Sequence, residues 1–135
     1  MKQIRTLFFG STDDSLLVLD RLLEGIRTPT YEIVVVALVT QPPKPVGRKR
    51  TITASPVERI TGEKPLPVCS FPSDPGRPWL FAVDDAVTNA LETFSPDLLI
   101  TASFGEKLPA DLLIHTQYGG INIHPSLLPR FRGAD

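Results

Sequence analysis

Two rhythms of apolar positions run along the chain. Ile4 to Phe9, Ile33 to Val39 and Asp97 to Ala102 are short, nearly unbroken apolar stretches closed by glycine, proline or polar residues, and read as strands. The second of these is rich in β-branched residues and does not alternate, as expected of a strand covered on both faces in a parallel sheet. Between them, apolar residues recur at helical spacing. Leu16, Leu19, Leu22 and Leu23 mark one helix, with N-cap candidates at Gly10 to Ser15 and Gly25 as its C′ residue. Val83, Val87, Ala90, Leu91 and Phe94 mark another, stopped by Ser95-Pro96, and Leu108 to Ile114 a brief third. Ser55-Pro56-Val57-Glu58 has the cap, first-turn proline and acidic N3 of a short helix ending near Thr61-Gly62. Gly119-Gly120 leads into a last strand, Ile121 to His124. The prolines and glycine between Gln41 and Ser55 predict a loop, and those between Pro65 and Pro78 an irregular stretch around a minor strand at Pro67 to Ser70. Strands alternating with helices predict a Rossmann-like, doubly wound α/β fold with a mainly parallel sheet, forming one domain over residues 1–135.

Composition narrows the class without naming a function. At 135 residues, 41% hydrophobic and 21% charged, the chain is an ordinary globular sequence. Its longest apolar run is far below the roughly 20 residues of a membrane span, and no signal-peptide core is present, so a cytoplasmic protein with no membrane association is expected. Met1 stands only a few residues before the first strand, which favours a bacterial over an organellar protein. A single cysteine, Cys69, excludes an internal disulfide and a multi-cysteine metal site, and no metal is expected. The net charge of −1 excludes a generic polyanion binder.

Local features are more telling. Gly10 after the first strand is too little for a dinucleotide fingerprint, and Asp13 and Asp14 would repel a pyrophosphate. Cys69 reads as a buried, inert thiol with no motif that sets His115 beside it, and Trp79 as a packing residue. Charge is distributed unevenly: there is no acid between Glu32 and Glu58, a stretch that carries Lys44, Arg48, Lys49 and Arg50. Such a loop is either a solvated basic surface or a contact for a phosphate backbone.

Asn122 and His124, one residue apart on a strand, leave the same face, with Ile121 and Ile123 on the other. Pro125 ends the strand and places the pair near its carboxyl end, the edge where open parallel sheets bind ligands. An amide and an imidazole side by side are either satisfied polar groups at a strand end, or a donor pair for the oxyanion of an acyl transfer, with the imidazole also able to move a proton.

The run Gly120-Ile121-Asn122-Ile123-His124-Pro125-Ser126-Leu127-Leu128-Pro129-Arg130-Phe131-Arg132-Gly133-Ala134 closely resembles the signature of the folate-dependent formyltransferases. Leu7-Phe8-Phe9-Gly10, Ser55-Pro56-Val57, and Ala102-Ser103-Phe104-Gly105 with Leu108-Pro109 match in order. Thr40 to Arg50 resembles the basic loop with which members acting on tRNA hold the acceptor stem. The resemblance covers nearly the whole chain and is weakest from Gly62 to Asn89. It implies the formyltransferase fold, and a formyl group moved from 10-formyltetrahydrofolate to the α-amine of methionyl initiator tRNA. Asn122 and His124 would hold the formyl oxygen. Ser126, Leu127, Leu128 and Pro129, with Phe104, Gly105 and Leu108, would contact the folate. Lys44, Arg48, Lys49 and Arg50 would grip the tRNA. No protein partner is implied.

The same resemblance implies a third catalytic group, an aspartate downstream of the histidine. The chain is therefore expected to be the amino-terminal, catalytic-fold part of an enzyme, ending before that aspartate and before a C-terminal tRNA-binding domain, and to transfer little or no formyl alone. Asp135 stands where the family usually has a small residue. Two alternatives remain open: a formyltransferase acting on a sugar-nucleotide amine or purine precursor, and a non-catalytic folate- or RNA-binding module.

Overall fold

The structure, a computed structural model, describes residues 1–60 and 65–124. In chain order the elements are β1 (Lys2–Phe9), α1 (Asp13–Glu24), β2 (Ile26–Arg27), β3 (Tyr31–Val39), β4 (Lys44–Val46), β5 (Thr51–Thr53), α2 (Pro56–Ile60), β6 (Val68–Cys69), β7 (Ser73–Asp74), β8 (Arg77–Phe81), α3 (Asp84–Glu92), β9 (Leu98–Ala102), α4 (Ala110–His115) and β10 (Gly120–Ile123). The main sheet is ordered β10-β9-β1-β3-β2, with β6 also paired to β3. Every pairing in it is parallel except that of the short β2 with β3. The chain winds outward from β1 through β3 to β6, then crosses back to β9 and β10, the doubly wound order expected.

Each strand of the sheet's centre serves two cores, which explains its unbroken apolar runs. Leu7 and Phe9 of β1 pack with Val39, Leu99, Phe81, Val87, Leu91 and Leu112 on the face covered by α3 and α4. Phe8, between them, packs with Leu38, Ile100, Leu19, Leu22 and Val57 on the face covered by α1 and α2. Leu7, Phe8 and Phe9 are all fully buried, each worth about 1.5–3 kcal/mol relative to an exposed position.

The turn from β1 into α1 depends on close approach. A Cβ on Gly10 would lie 2.6 Å from Ser15 Cβ and 2.8 Å from the Phe8 ring. Thr12 caps α1 in a reciprocal box with Ser15, and Asp13 and Asp14 sit in the first turn, where the helix dipole favours anions. The buried Ser15 hydroxyl also donates to the Ala102 carbonyl at 2.6 Å, tying α1 to the carboxyl end of β9. Ser55 accepts from the Glu58 N–H at 3.1 Å and caps α2 as predicted. The predicted end of that helix at Thr61-Gly62 lies outside the described residues.

Several expectations are corrected. The Gln41–Ser55 stretch is not a plain loop: β4 and β5 form an antiparallel hairpin that pairs Lys44 with Thr53 and Pro45 with Ile52. A two-stranded ribbon has no inner strand, so a proline that cannot donate to a second neighbour is tolerated there. Its turn is closed by the Arg50 N–H on the Gly47 carbonyl at 3.2 Å, with both residues at positive φ. The proline-rich stretch near Pro78 holds a second hairpin, β7–β8. Val83 and Ala90 do not share the buried face of α3: Val83 is its exposed N-cap and Thr88 is buried instead. Trp79 is not a packing residue, being 57% exposed on β8. No helix among the described residues is long and apolar enough to cross a membrane.

Candidate active site

Register between the last two strands builds the centre of the site. β10 lies beside β9 with Asn122 opposite Thr101 and Ile123 opposite Ala102. Ile123 packs into the core on the α1 side, which leaves Asn122 and Thr101 on the opposite, α4 side of the sheet. Thr101 Oγ1 donates to Asn122 Oδ1 at 2.8 Å, which aims the amide nitrogen away from β9, and Asn122 Nδ2 stands 3.1 Å from His124 Nε2. An amide nitrogen only donates, so in this contact the ring nitrogen Nε2 accepts. Thr101, Asn122 and His124 thus form one line of hydrogen bonds across the carboxyl edge of the sheet.

Asn122 and Thr101 line a cavity of about 330 Å³, walled further by Phe104, Gly105, Glu106, Leu108, Leu113 and Ile121. The predicted residues Asn122, Phe104, Gly105 and Leu108 are therefore brought together. Phe104 contributes little accessible surface, because its ring meets Phe9 edge-on at 5.5 Å and lies against Phe81. His124 is not among the lining residues and is joined to the cavity through Asn122. A Cβ on Gly120, at the foot of the cavity, would stand 2.9 Å from Leu113 Cδ2, so the wall is closely packed there. Ser126, Leu127, Leu128 and Pro129 lie outside the described residues.

The basic residues form a separate region. Arg48, Lys49 and Arg50 occupy the exposed turn of the β4–β5 hairpin, and among the described residues none of them makes an ion pair. Lys44 is also exposed but donates to Gln41 Oε1. It borders a second cavity of about 390 Å³, lined also by Ser11, Ser55 and Arg59.

The weaker motifs resolve as expected in part. The N–H groups of Ser11 and Thr12 both donate to Ser15 Oγ, at 3.0 and 3.1 Å, so the turn after β1 spends its amides internally. Cys69 is half-buried on β6, and burial pushes its thiol up, away from the reactive thiolate. His115 pairs through Nδ1 with Glu92 at 3.0 Å. Among the described residues no three His, Cys, Asp or Glu side chains gather as a metal site requires.

Sequence reasoning missed Thr101 and Gln41. Thr101 is a polar residue in an otherwise apolar strand, a visible signal whose meaning depends on register with β10. Gln41 lies in a connecting segment without periodicity and carries no local signal.

The formyl transferase family model matches residues 4–135. The methionyl-tRNA formyltransferase of Halalkalibacterium halodurans is 40% identical over 130 residues, 96% of this chain and 37% of that protein. That of Dictyoglomus turgidum is 34% identical over 131 residues, 97% of this chain and 37% of its own length. The chain thus spans little more than a third of these relatives. The crystal structure of a phosphoribosylglycinamide formyltransferase from Brucella melitensis superposes with a TM-score of 0.65 at 23% identity, covering 98% of this chain and 62% of that one, a likeness of fold. A parallel sheet with an amide and an imidazole beside a cavity at its carboxyl edge, and a sequence match over nearly its whole length, place the chain in the formyl transferase family.

Proposed function

We propose that the chain serves transfer of a formyl group from 10-formyltetrahydrofolate to the α-amine of methionyl initiator tRNA, as the catalytic-fold domain of a longer cytoplasmic bacterial enzyme. The observation that carries this reading is the Thr101–Asn122–His124 line of hydrogen bonds, which orients an amide donor and an imidazole beside a cavity before any substrate arrives. The folate supplies an activated formyl carbonyl. Asn122 Nδ2 donates to the carbonyl oxygen as negative charge builds on it, and the His124 ring accepts the proton that the attacking amine gives up. As imidazolium, His124 becomes a second donor. The new bond joins the amine nitrogen to the formyl carbon, the bond from that carbon to the folate nitrogen breaks, and the proton ends on that departing nitrogen. A single well-placed oxyanion donor is worth about 2.7–4 kcal/mol of barrier. An amine attacks only when unprotonated, and an aspartate beyond Asp135 is the group we assign to hold it so.

The apolar side chains of Phe104, Leu108 and Leu113 suit a flat heteroaromatic ring system, and this supports seating the folate there; Ser126, Leu127, Leu128 and Pro129 are the further folate contacts that the resemblance implies. The choice of tRNA over a small amine rests on the hairpin. Arg48, Lys49 and Arg50, with Lys44 nearby, place concentrated positive charge on a molecule whose net charge is −1, which suits an extended phosphate backbone, whereas a sugar-nucleotide or ribonucleotide amine carries only one or two phosphates and no acceptor stem. The names of the 34–40% identical relatives point the same way. The decisive experiment gives the full-length enzyme 10-formyltetrahydrofolate with charged initiator tRNA, a sugar-nucleotide amine or phosphoribosylglycinamide. Formylation of the aminoacyl-tRNA alone is expected. Transfer to a small amine with the tRNA untouched would replace this reading with the small-substrate one.

A further inference from the structure

Gln41 stands where the basic hairpin meets the wall of the active-site cavity. Its backbone is pinned to the frame: the Gln41 N–H donates to Ser11 Oγ at 3.0 Å, and Thr40 beside it hydrogen-bonds both Ser11 and the Ser55 cap of α2. Its side-chain amide lies between two groups of opposite charge. Lys44 Nζ, at the start of β4, donates to Gln41 Oε1. Gln41 Nε2 lies against Gly105, 3.1 Å from where a Cβ would stand, and the Gln41 side chain hydrogen-bonds the Glu106 carboxyl, as Ser73 also does. An ammonium only donates, so Oε1 faces Lys44 and Nε2 is left for Glu106.

One line of hydrogen bonds therefore runs from a cation on the ribbon, through an amide, to a carboxyl in the frame. The far end is firmly held. The Lys107 N–H next to Glu106 donates to the Trp79 carbonyl at 2.8 Å, and Phe104 packs against Phe9 and Phe81. Among the described residues Arg48, Lys49 and Arg50 have no ion pair, and no such tether. A lysine that rotates freely loses much of its side-chain freedom on binding a phosphate, whereas one already held loses little. The Lys44 ammonium has three N–H groups, and Gln41 takes one, leaving two for a ligand. We propose that Gln41 is a positioning residue for tRNA: it acts through Lys44, holding that ammonium beside the cavity lined by Ser11, Ser55 and Arg59, so that one of the four cations meets the acceptor end already ordered. This inference rests on the tRNA reading above. It divides the basic residues into one set by the frame and three that follow the ribbon.

The test uses the full-length enzyme, its Gln41→Met and Lys44→Met variants and the double variant. Methionine keeps the length of either side chain and forms neither hydrogen bond. Binding of initiator tRNA is followed by fluorescence anisotropy over a series of salt concentrations, with melting temperatures in parallel. Gln41→Met should weaken binding about three- to tenfold and keep the wild-type salt slope, because the cation is still present but no longer held. Lys44→Met should weaken binding at least as much and lower the slope by about one. The double variant should bind no more weakly than Lys44→Met, since Gln41 has nothing left to act through. Wild-type affinity in Gln41→Met overturns the inference and leaves the tRNA reading intact, and so do losses that multiply in the double variant. A Gln41→Met protein that melts well below wild type and loses more slope than Lys44→Met also overturns it, as the signature of a hairpin that has come apart. A wild-type enzyme that neither binds nor formylates the tRNA overturns the tRNA reading, and this inference with it.

Discussion

β9 and β10 hold their functional groups by packing, whereas β4 and β5 hold theirs by almost nothing. Thr101 and Asn122 sit in register on strands whose neighbours Leu99 and Ile100 are buried in the two cores, and a 2.8 Å hydrogen bond fixes the amide. The hairpin has no core of its own. Its Ile52 is 65% exposed, and its cations project from a tight turn into solvent. The difference follows from what each region is proposed to do. An oxyanion donor misplaced by an ångström loses most of its worth, so it belongs on a rigid frame. A charge acting on a phosphate backbone works over a Debye length of about 8 Å at physiological salt and needs only to stay exposed.

The contrast can be broken most sharply at His124. In the full-length enzyme, His124→Ala should lower kcat on the order of 10²- to 10³-fold with folding retained, because it removes a donor fixed by the frame. Unchanged turnover would end the assigned role. The frame itself is tested by Gly10→Ala, which drives a Cβ into Ser15 and Phe8 and should destabilise the fold by about 1–3 kcal/mol, read from a denaturant midpoint. Thr101→Val, nearly isosteric, removes the Thr101 hydrogen bond to Asn122. A fall of about tenfold in kcat is expected, with the KM for tRNA unchanged and activity restored by Thr101→Ser. If Val behaves like Thr, packing alone orients the amide. On the hairpin, Arg48→Ala should leave kcat and stability unaltered, weaken tRNA binding a few-fold and reduce the salt slope by about one. A drop in melting temperature would show that the hairpin is more than a carrier of charge. The smallest effect is at Glu106. Its folded-state carboxyl titrates above its unfolded one, so the folded protein binds the extra proton and stability falls as pH rises above about 4.3. Glu106→Gln should therefore gain in melting temperature relative to wild type as pH rises towards neutrality and not at lower pH.

Legibility in the sequence divides along the same line. The central strands could be read from Leu7-Phe8-Phe9 and from residues 33–39, because burial on both faces leaves an apolar run that no other element of that length shows. The start of α2 could be read from Ser55, whose hydroxyl acts within three residues of itself, and the start of α1 only to within the candidates Gly10 to Ser15, among which the structure selects Thr12. The β4–β5 and β7–β8 hairpins could not. Their pairing is short, exposed and rich in proline, so neither alternation nor composition marks it. The exposure of Trp79 escaped for the same reason: aromatic character predicts burial only where a core lies within reach.

At the site, the identity and adjacency of Asn122 and His124 followed from a two-residue spacing on a strand and from the resemblance of the segment around them. The sequence by itself therefore determined the fold class, the adjacency of Asn122 and His124 and the clustering of cations between Glu32 and Glu58, since each depends on near neighbours in the chain. Tertiary structure decided that Thr101 orients Asn122 across 21 residues of separation, that Ser15 ties α1 to Ala102 across 87, and that burial in the cavity wall pushes the Glu106 carboxyl up. Each of these depends on the order and register in which distant strands pair, and a local pattern of apolar and polar residues does not encode that order.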